Sequence, residues 1–290
     1  MKYPHPKIWL SVGLIFSMVF AINFYFQDEL RAYFNKSRIE HVFESQAHKD
    51  GAVRVVLLCS SLGKQGLSDV SILNKKMKTI DSSQKYEFVK LPFVAARLED
   101  FTENPLLLKK LKEYDPHFLV FQESYLFTDR VKDLHFYALR NTISFYNVRA
   151  ALLHRTEHML EQAILNKKTV EIYPDSLSTQ SRLLSDRNKF REEPSLTDFS
   201  EMLKATIVVL EVPLPRPFEE KMDSIRQVDS YHAIFRKEKE VNDFIYFDYP
   251  RKHPFAYYYD ESHMNDVGEQ VYTDWFLRRL RVLNDSLNAE

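Results

Sequence analysis

Disulfides are excluded at the outset. Cys59 is the only cysteine in 290 residues, so the fold is held by packing alone whichever side of a membrane it occupies. It ends the apolar run Val55-Val56-Leu57-Leu58-Cys59, where a buried, unreactive thiol is the expected state. Glycine is almost as scarce, with five in the whole chain. That argues against a glycine-rich phosphate cradle, and neither a Walker sequence nor a dinucleotide-binding fingerprint occurs. Excess charge of one sign is missing too. Lys and Arg number 40 against 41 Asp and Glu, a formal net charge of -1, which offers nothing to a polyanion and argues against a nucleic-acid partner. His154 and His158 have helical spacing, but no acidic or cysteine partner falls at a recognisable distance from them. Neither a metal nor another cofactor is expected.

What the chain does have begins with an apolar segment of 19 residues, Ile8 to Phe26, broken only by Ser11, Gly13, Ser17 and Asn23 and carrying no charge. That length spans a bilayer. Lys2 and Lys7 precede it and Asp28-Glu29 follow, so the expected topology is a single pass with a cytoplasmic N-terminus and an extracytoplasmic, periplasmic-type main domain. Ala21 to Phe26 ends in bulky aromatics without a small-x-small cleavage pattern, so an uncleaved anchor over 1–27 is preferred to a signal peptide. Residues 28–50 are polar with sparse apolar positions and suit a helical stalk.

From residue 51 the pattern changes to short apolar runs separated by longer helical stretches. Arg54–Cys59, Tyr86–Leu91, Phe118–Phe121, Thr206–Val212 and Phe244–Phe247 read as five strands. Strands alternating with helices imply an α/β fold, a mostly parallel five-stranded sheet with helices on both faces, and chemistry at the carboxyl ends of the strands. The stretch of about 128–200 is long for a connection and is expected to be a helical insertion, serving either as a lid or docking surface or as packing against the core.

The most informative stretch is Asp260-Glu261-Ser262-His263-Met264-Asn265-Asp266. Asp266 with Glu269 reads as a capping box, and Val267, Val271, Trp275, Phe276 and Leu280 recur at helical spacing as one apolar stripe. Arg278, Arg279 and Arg281 fall toward the C-terminal end, where they would complement the helix dipole. Asp260 and His263 therefore precede a helix. A carboxylate there can hold one imidazole nitrogen and leave the other as a general base. A base needs a nucleophile. Ser60-Ser61-Leu62 follows the first strand, a position from which a serine hydroxyl stands over the sheet and nearby backbone N–H groups can stabilise an oxyanion; equally, the two serines can simply cap a helix.

Taken together these blocks resemble the SGNH or GDSL hydrolase superfamily, which carries a Gly-Asp-Ser block after strand one and an Asp-x-x-His block before the last helix. The resemblance covers roughly 51–285. It implies a flavodoxin-like three-layer α/β/α sandwich in which Ser61 is the nucleophile, His263 the general base and acid, and Asp260 the orienting carboxylate. Cys59 and Ser60 replace the family's glycine and aspartate, a change that looks similar to the Gly-Ser-Ser variants found in membrane-anchored acyltransferase-like members. The third-block asparagine is absent, since Ser124 to Phe127 reads Ser-Tyr-Leu-Phe, and no second-block glycine is evident in Pro92 to Leu98. Leu62 N–H, Gln122 and Ser124 are the substitutes to be considered as oxyanion or substrate donors. The resemblance further implies an acyl esterase or O-acyltransferase acting on an envelope glycan or other acyl ester beside a multi-pass membrane acyltransferase. The alternative is a catalytically weak or inactive binding or assembly module at the membrane.

Overall fold

The computed structural model describes residues 6–44, 51–93, 98–123, 196, 203–213, 215, 239–240, 244–250, 253–259 and 263–289, with side chains 6, 23, 27–34, 61, 62 and 99 left aside. The expected insertion at 128–200 lies almost wholly outside them, as do His154 and His158.

Two helices come first, α1 (Pro6–Tyr25) and α2 (Gln27–Glu44). The N-terminal residues through Ser37 belong to one compact unit, and the α/β fold from Arg38 onward belongs to another. α1 exposes Trp9, Leu10, Leu14 and Met18. Among the described residues no helix is long and apolar enough to cross a membrane. Pro6 and Lys7 open α1, and Ser11, Gly13, Ser17 and Asn23 interrupt it. Of the expected stalk, residues 28–44 lie in α2 and 45–50 lie outside the described residues. The last turns of α2 belong to the α/β unit: Ile39 is fully buried with Val42 and Phe43 packed nearby, and Arg38 Nη1 donates to Pro92 O at 2.7 Å.

The α/β unit continues through β1 (Val53–Cys59), α3 (Ser61–Gly66), α4 (Val70–Ile80), β2 (Tyr86–Pro92), α5 (Glu99–Thr102), α6 (Pro105–Tyr114), β3 (Phe118–Gln122), β4 (Thr206–Leu210), β5 (Ile245–Phe247), a 3-10 turn (Phe255–Tyr257) and α7 (Asp266–Leu287). All five strands are parallel, in the order β2-β1-β3-β4-β5. This is the flavodoxin-like order, with its switch point between β1 and β3. Period-two alternation divides the core as a doubly covered sheet requires. On one face Val56 and Leu58 pack with Leu107 and Leu111 of α6, and on the other Val55, Leu57 and Cys59 pack with Leu73 of α4 and Phe276 and Leu280 of α7.

Local chemistry sets the joints. Asn104 caps α6 by accepting from Leu107 N at 3.1 Å, and Asp115 ends it in the left-handed region at φ 48, where Asp is tolerated better than most residues. Asp81 Oδ1 accepts from Ser83 N at 3.0 Å and Gln84 N at 3.3 Å, turning the chain from α4 into β2. The Ser83 hydroxyl, donating to the same Oδ1 at 2.6 Å, does most to hold the Asp81 carboxyl below its usual range, and the two backbone bonds add to it.

α7 corrects three expectations. Its cap is Asn265, one residue earlier than the proposed box, with Oδ1 accepting from Val267 N at 3.0 Å and Gly268 N at 3.1 Å. An Asn at N-cap satisfies two orphan donors, leaving Asp266 and Glu269 as first-turn acids. The buried stripe is Gly268, Tyr272, Phe276, Leu280 and Leu283, while Val267 and Val271 are exposed. Tyr272 wins the inward position because its hydroxyl has an acceptor there, the Glu211 carbonyl. The helix also runs on to Leu287, so its last turn holds no basic residue. Arg279 instead lies over the Phe247 ring at 5.5 Å.

Candidate functional site

The carboxyl ends of β1 and β3 meet at one turn. Ser60, buried, follows β1, and its carbonyl accepts from Lys64 N at 2.8 Å to open α3 at Ser61. Ser60 N donates to Gln122 Oε1 at 2.5 Å from the last position of β3. An N–H donor fixes which end of the carboxamide faces it, so the oxygen of Gln122 is committed to the turn. Gly63 makes room: a Cβ there would come within 3.0 Å of Gln122 Cδ and 3.3 Å of Cys59 Cβ. Gln122 Nε2 is buried with no partner among the described residues. Gln122, one of the three candidate oxyanion or substrate donors, thus has its oxygen bonded to the turn at Ser60.

The serine and histidine blocks approach through a tyrosine. His263 lies just before α7, and its ring stacks on Tyr259 with centroids 5.8 Å apart and planes 14° apart. Tyr259 N donates to His263 O at 3.1 Å, and the Tyr259 hydroxyl donates to Gln65 Oε1 on α3, the helix that Ser61 begins. Met264 pairs with Tyr258 in an antiparallel bridge, and Tyr258 OH reaches Pro213 O at 2.9 Å after β4. The backbone of Ser61 and Leu62 is placed at the start of α3, at the carboxyl end of β1. The side chains of Ser61 and Leu62, and Asp260 and Ser124 entirely, lie outside the described residues.

Cys59 is buried as expected. Loss of solvent pushes its thiol up to about 11, against a smaller opposing pull from Lys90, which leaves the nucleophilic thiolate rare at neutral pH.

Three groups around the site escaped the reading of the sequence. Lys90, in mid-β2, is buried and donates to the carbonyls of Lys64, Leu67 and Ser68. Its signal was a lone charge inside the apolar run Phe88-Val89-Lys90-Leu91. Glu211 is fully buried after β4, and its Oε2 accepts from Tyr249 N at 3.0 Å. That bond ties the strand end to the segment leading to His263. His253, 2% exposed, hydrogen-bonds Tyr249 OH through Nδ1 at 3.0 Å, and edge-on contacts with Tyr249, Tyr257 and Tyr258 enclose its ring.

Burial lowers the His253 pKa from the usual 6.5 to about 4. The unfolded chain therefore takes up a proton between pH 6.5 and 4 that the native state refuses. Stability from this site is fully present above pH 6.5 and falls as pH drops toward 4, by about 3 kcal/mol in all. Urea unfolding at pH 7.5 and 4.5 should show that loss, and His253→Gln should shrink the difference between the two pH values; an undiminished difference would place the acid sensitivity elsewhere.

No protein-family model and no curated protein sequence matches this chain. Among solved structures, an acetylxylan esterase from Geobacillus stearothermophilus aligns at 13% identity over 80% of this chain and 95% of that one, with a TM-score of 0.42. A catalytic mutant of that esterase aligns at 12% identity over 80% of this chain and 95% of its own, with a TM-score of 0.43. An α/β hydrolase enzyme from the metagenome of Lake Arreo, Spain, aligns at 13% identity over 78% of this chain and 93% of its own, with a TM-score of 0.40.

Proposed function

We propose that the protein is a membrane-anchored serine esterase or O-acyltransferase of SGNH type, acting on an acylated envelope glycan or a similar acyl ester. The observation that carries the proposal is the link from Gln65 on α3 through Tyr259 to His263, which couples the helix begun by Ser61 to the proposed base at the carboxyl side of the sheet.

In this reading His263, oriented by Asp260, takes the Ser61 hydroxyl proton as Oγ attacks the acyl carbonyl. The C–O bond to the departing alcohol then breaks, and that alcohol leaves with the proton from His263. Water or a sugar hydroxyl next attacks the acyl-serine, with the same imidazole taking and returning a proton. The Leu62 N–H and Ser124 are the donors assigned to the oxyanion, and Gln122 holds the turn that aims them. α1 would seat its exposed apolar side chains in the bilayer, keeping the domain close to a membrane-delivered donor or a multi-pass acyltransferase partner.

A specific observation favours a second reading. With no third-block asparagine, and with Gln122 buried and its oxygen bonded to Ser60 N, the domain would serve as a binding or assembly module. The deciding experiment is fluorophosphonate labelling of the full-length chain in detergent, with acetyl-ester turnover read in parallel. Labelling that disappears in Ser61→Ala supports the enzyme, whereas a folded chain that neither labels nor turns over ester supports the module. Localisation has its own test: the chain should stay with the membrane pellet through an alkaline carbonate wash, and release by that wash would sink the anchor.

A further inference from the structure

Lys90 is a buried cation that the proposed chemistry does not use. It lies opposite Leu57 of β1 in the parallel register, between Val89 and Leu91, which are fully buried. Its Nζ is 2.7 Å from Lys64 O, 2.5 Å from Leu67 O and 3.2 Å from Ser68 O. An ammonium has three N–H donors, and three carbonyls meet it. All three acceptors lie in the second half of α3 or just past its end, where a helix leaves its carbonyls without intrahelical partners and carries negative dipole charge.

The cost of placing that charge there is real. Loss of solvent lowers the Lys90 pKa, partly offset by Cys59, Asp69 and Glu269. An unbranched apolar side chain would occupy the same space without that penalty. What the ammonium adds is a grip on a six-residue helix, too short to hold its own geometry. At its other end the grip is Gln122 on Ser60 N, and on its flank it is Tyr259 on Gln65. The two strands that flank β1 and the histidine segment thus clasp α3 at three places.

We propose that Lys90 is a positioning residue for the nucleophile: its ammonium, bonded to the carbonyls of Lys64, Leu67 and Ser68, sets the direction of α3 and hence of Ser61. The inference rests on the serine reading above. A displacement of about 1 Å in a reacting group can cost on the order of 100-fold in rate, so a loosened α3 shows in chemistry before it shows in folding.

The test is Lys90→Met in the full-length chain, read by three measurements. The expected results are fluorophosphonate labelling of Ser61 slowed about 10- to 100-fold with ester KM little changed, backbone amide exchange in α3 accelerated while α4 and α7 keep their protection, and a thermal midpoint close to that of the parent. Labelling and α3 exchange equal to the parent would overturn the inference. Lys90→Arg is the second variant, because it keeps the charge but cannot bring one compact ammonium to the same three carbonyls; it should fold and label slowly. Failure of both variants to fold would overturn the inference by making Lys90 a requirement of the whole core. A parent chain that does not label at all refutes the serine reading instead, and α3 exchange in Lys90→Met then still decides whether Lys90 holds that helix.

Discussion

Ser61→Ala and His263→Ala are each expected to reduce ester turnover by at least about 1000-fold, and the double variant is expected to be no slower than the slower single one. The reason is that nucleophile and base act as a unit. Once the hydroxyl is gone the imidazole has no proton to take, and once the imidazole is gone the hydroxyl is a poor nucleophile. Independent contributions would instead multiply. The two variants differ in their side effects. His263→Ala also removes a ring stacked on Tyr259, worth about 1 kcal/mol, so its turnover has to be measured well below its own unfolding midpoint. Additive losses in the double variant would sink the pairing, even with both single variants slow. The assay is steady-state turnover of an acetyl ester with active-site titration, so that loss of folded protein is not read as loss of rate.

The sheet was legible because each strand is an apolar run closed by a polar or proline residue, and all five were expected within two residues of where they lie. The end of β4 shows what such a reading misses. Thr206 to Val212 is a continuous pattern, yet the strand stops at Leu210. Glu211 turns its carboxylate to Tyr249 N, and its own N–H to Phe247 O at 3.2 Å. An acid that finishes a strand by binding a residue 38 positions later leaves no local trace. The same holds for the site. Its two blocks were visible as a serine after β1 and a histidine before α7, while the link between them, Tyr259 to Gln65, joins residues 194 apart. Lys90 left a trace, a charge in a buried strand, whose meaning depended on three carbonyls supplied by another element. In α7 the expected stripe holds at Phe276 and Leu280 and misses at Val267 and Val271, because apolar character alone does not say whether Val271 or Tyr272 faces inward. The Tyr272 hydroxyl decides it by reaching the Glu211 carbonyl.

Gly268→Ala is expected to destabilise the chain by about 2 to 4 kcal/mol and to lower turnover in the surviving folded fraction, although alanine is the better helix former by about 1 kcal/mol. A Cβ at Gly268 would stand 2.3 Å from Tyr257 O and 2.9 Å from Tyr257 Cβ. The nearest of these contacts is backbone, so no side-chain rotation relieves it. Tyr257 O is also the acceptor for Asn265 N at 2.8 Å, and the next residue forms the bridge to Met264. Relieving the clash thus pulls on both strands of the segment that carries His263, and stability and chemistry suffer together. Gly66→Ala is the matched control. There the nearest atom is Tyr272 Cδ1 at 3.5 Å, an ordinary contact, so a neutral or slightly stabilising result is expected as the unfolded chain loses conformational freedom. Thermal midpoints of the two variants should differ by roughly 5 to 15 °C, with Gly268→Ala the lower. Equal midpoints would mean that the Tyr257 carbonyl yields at little cost, and that the segment before α7 is not held as tightly as positioning a general base requires.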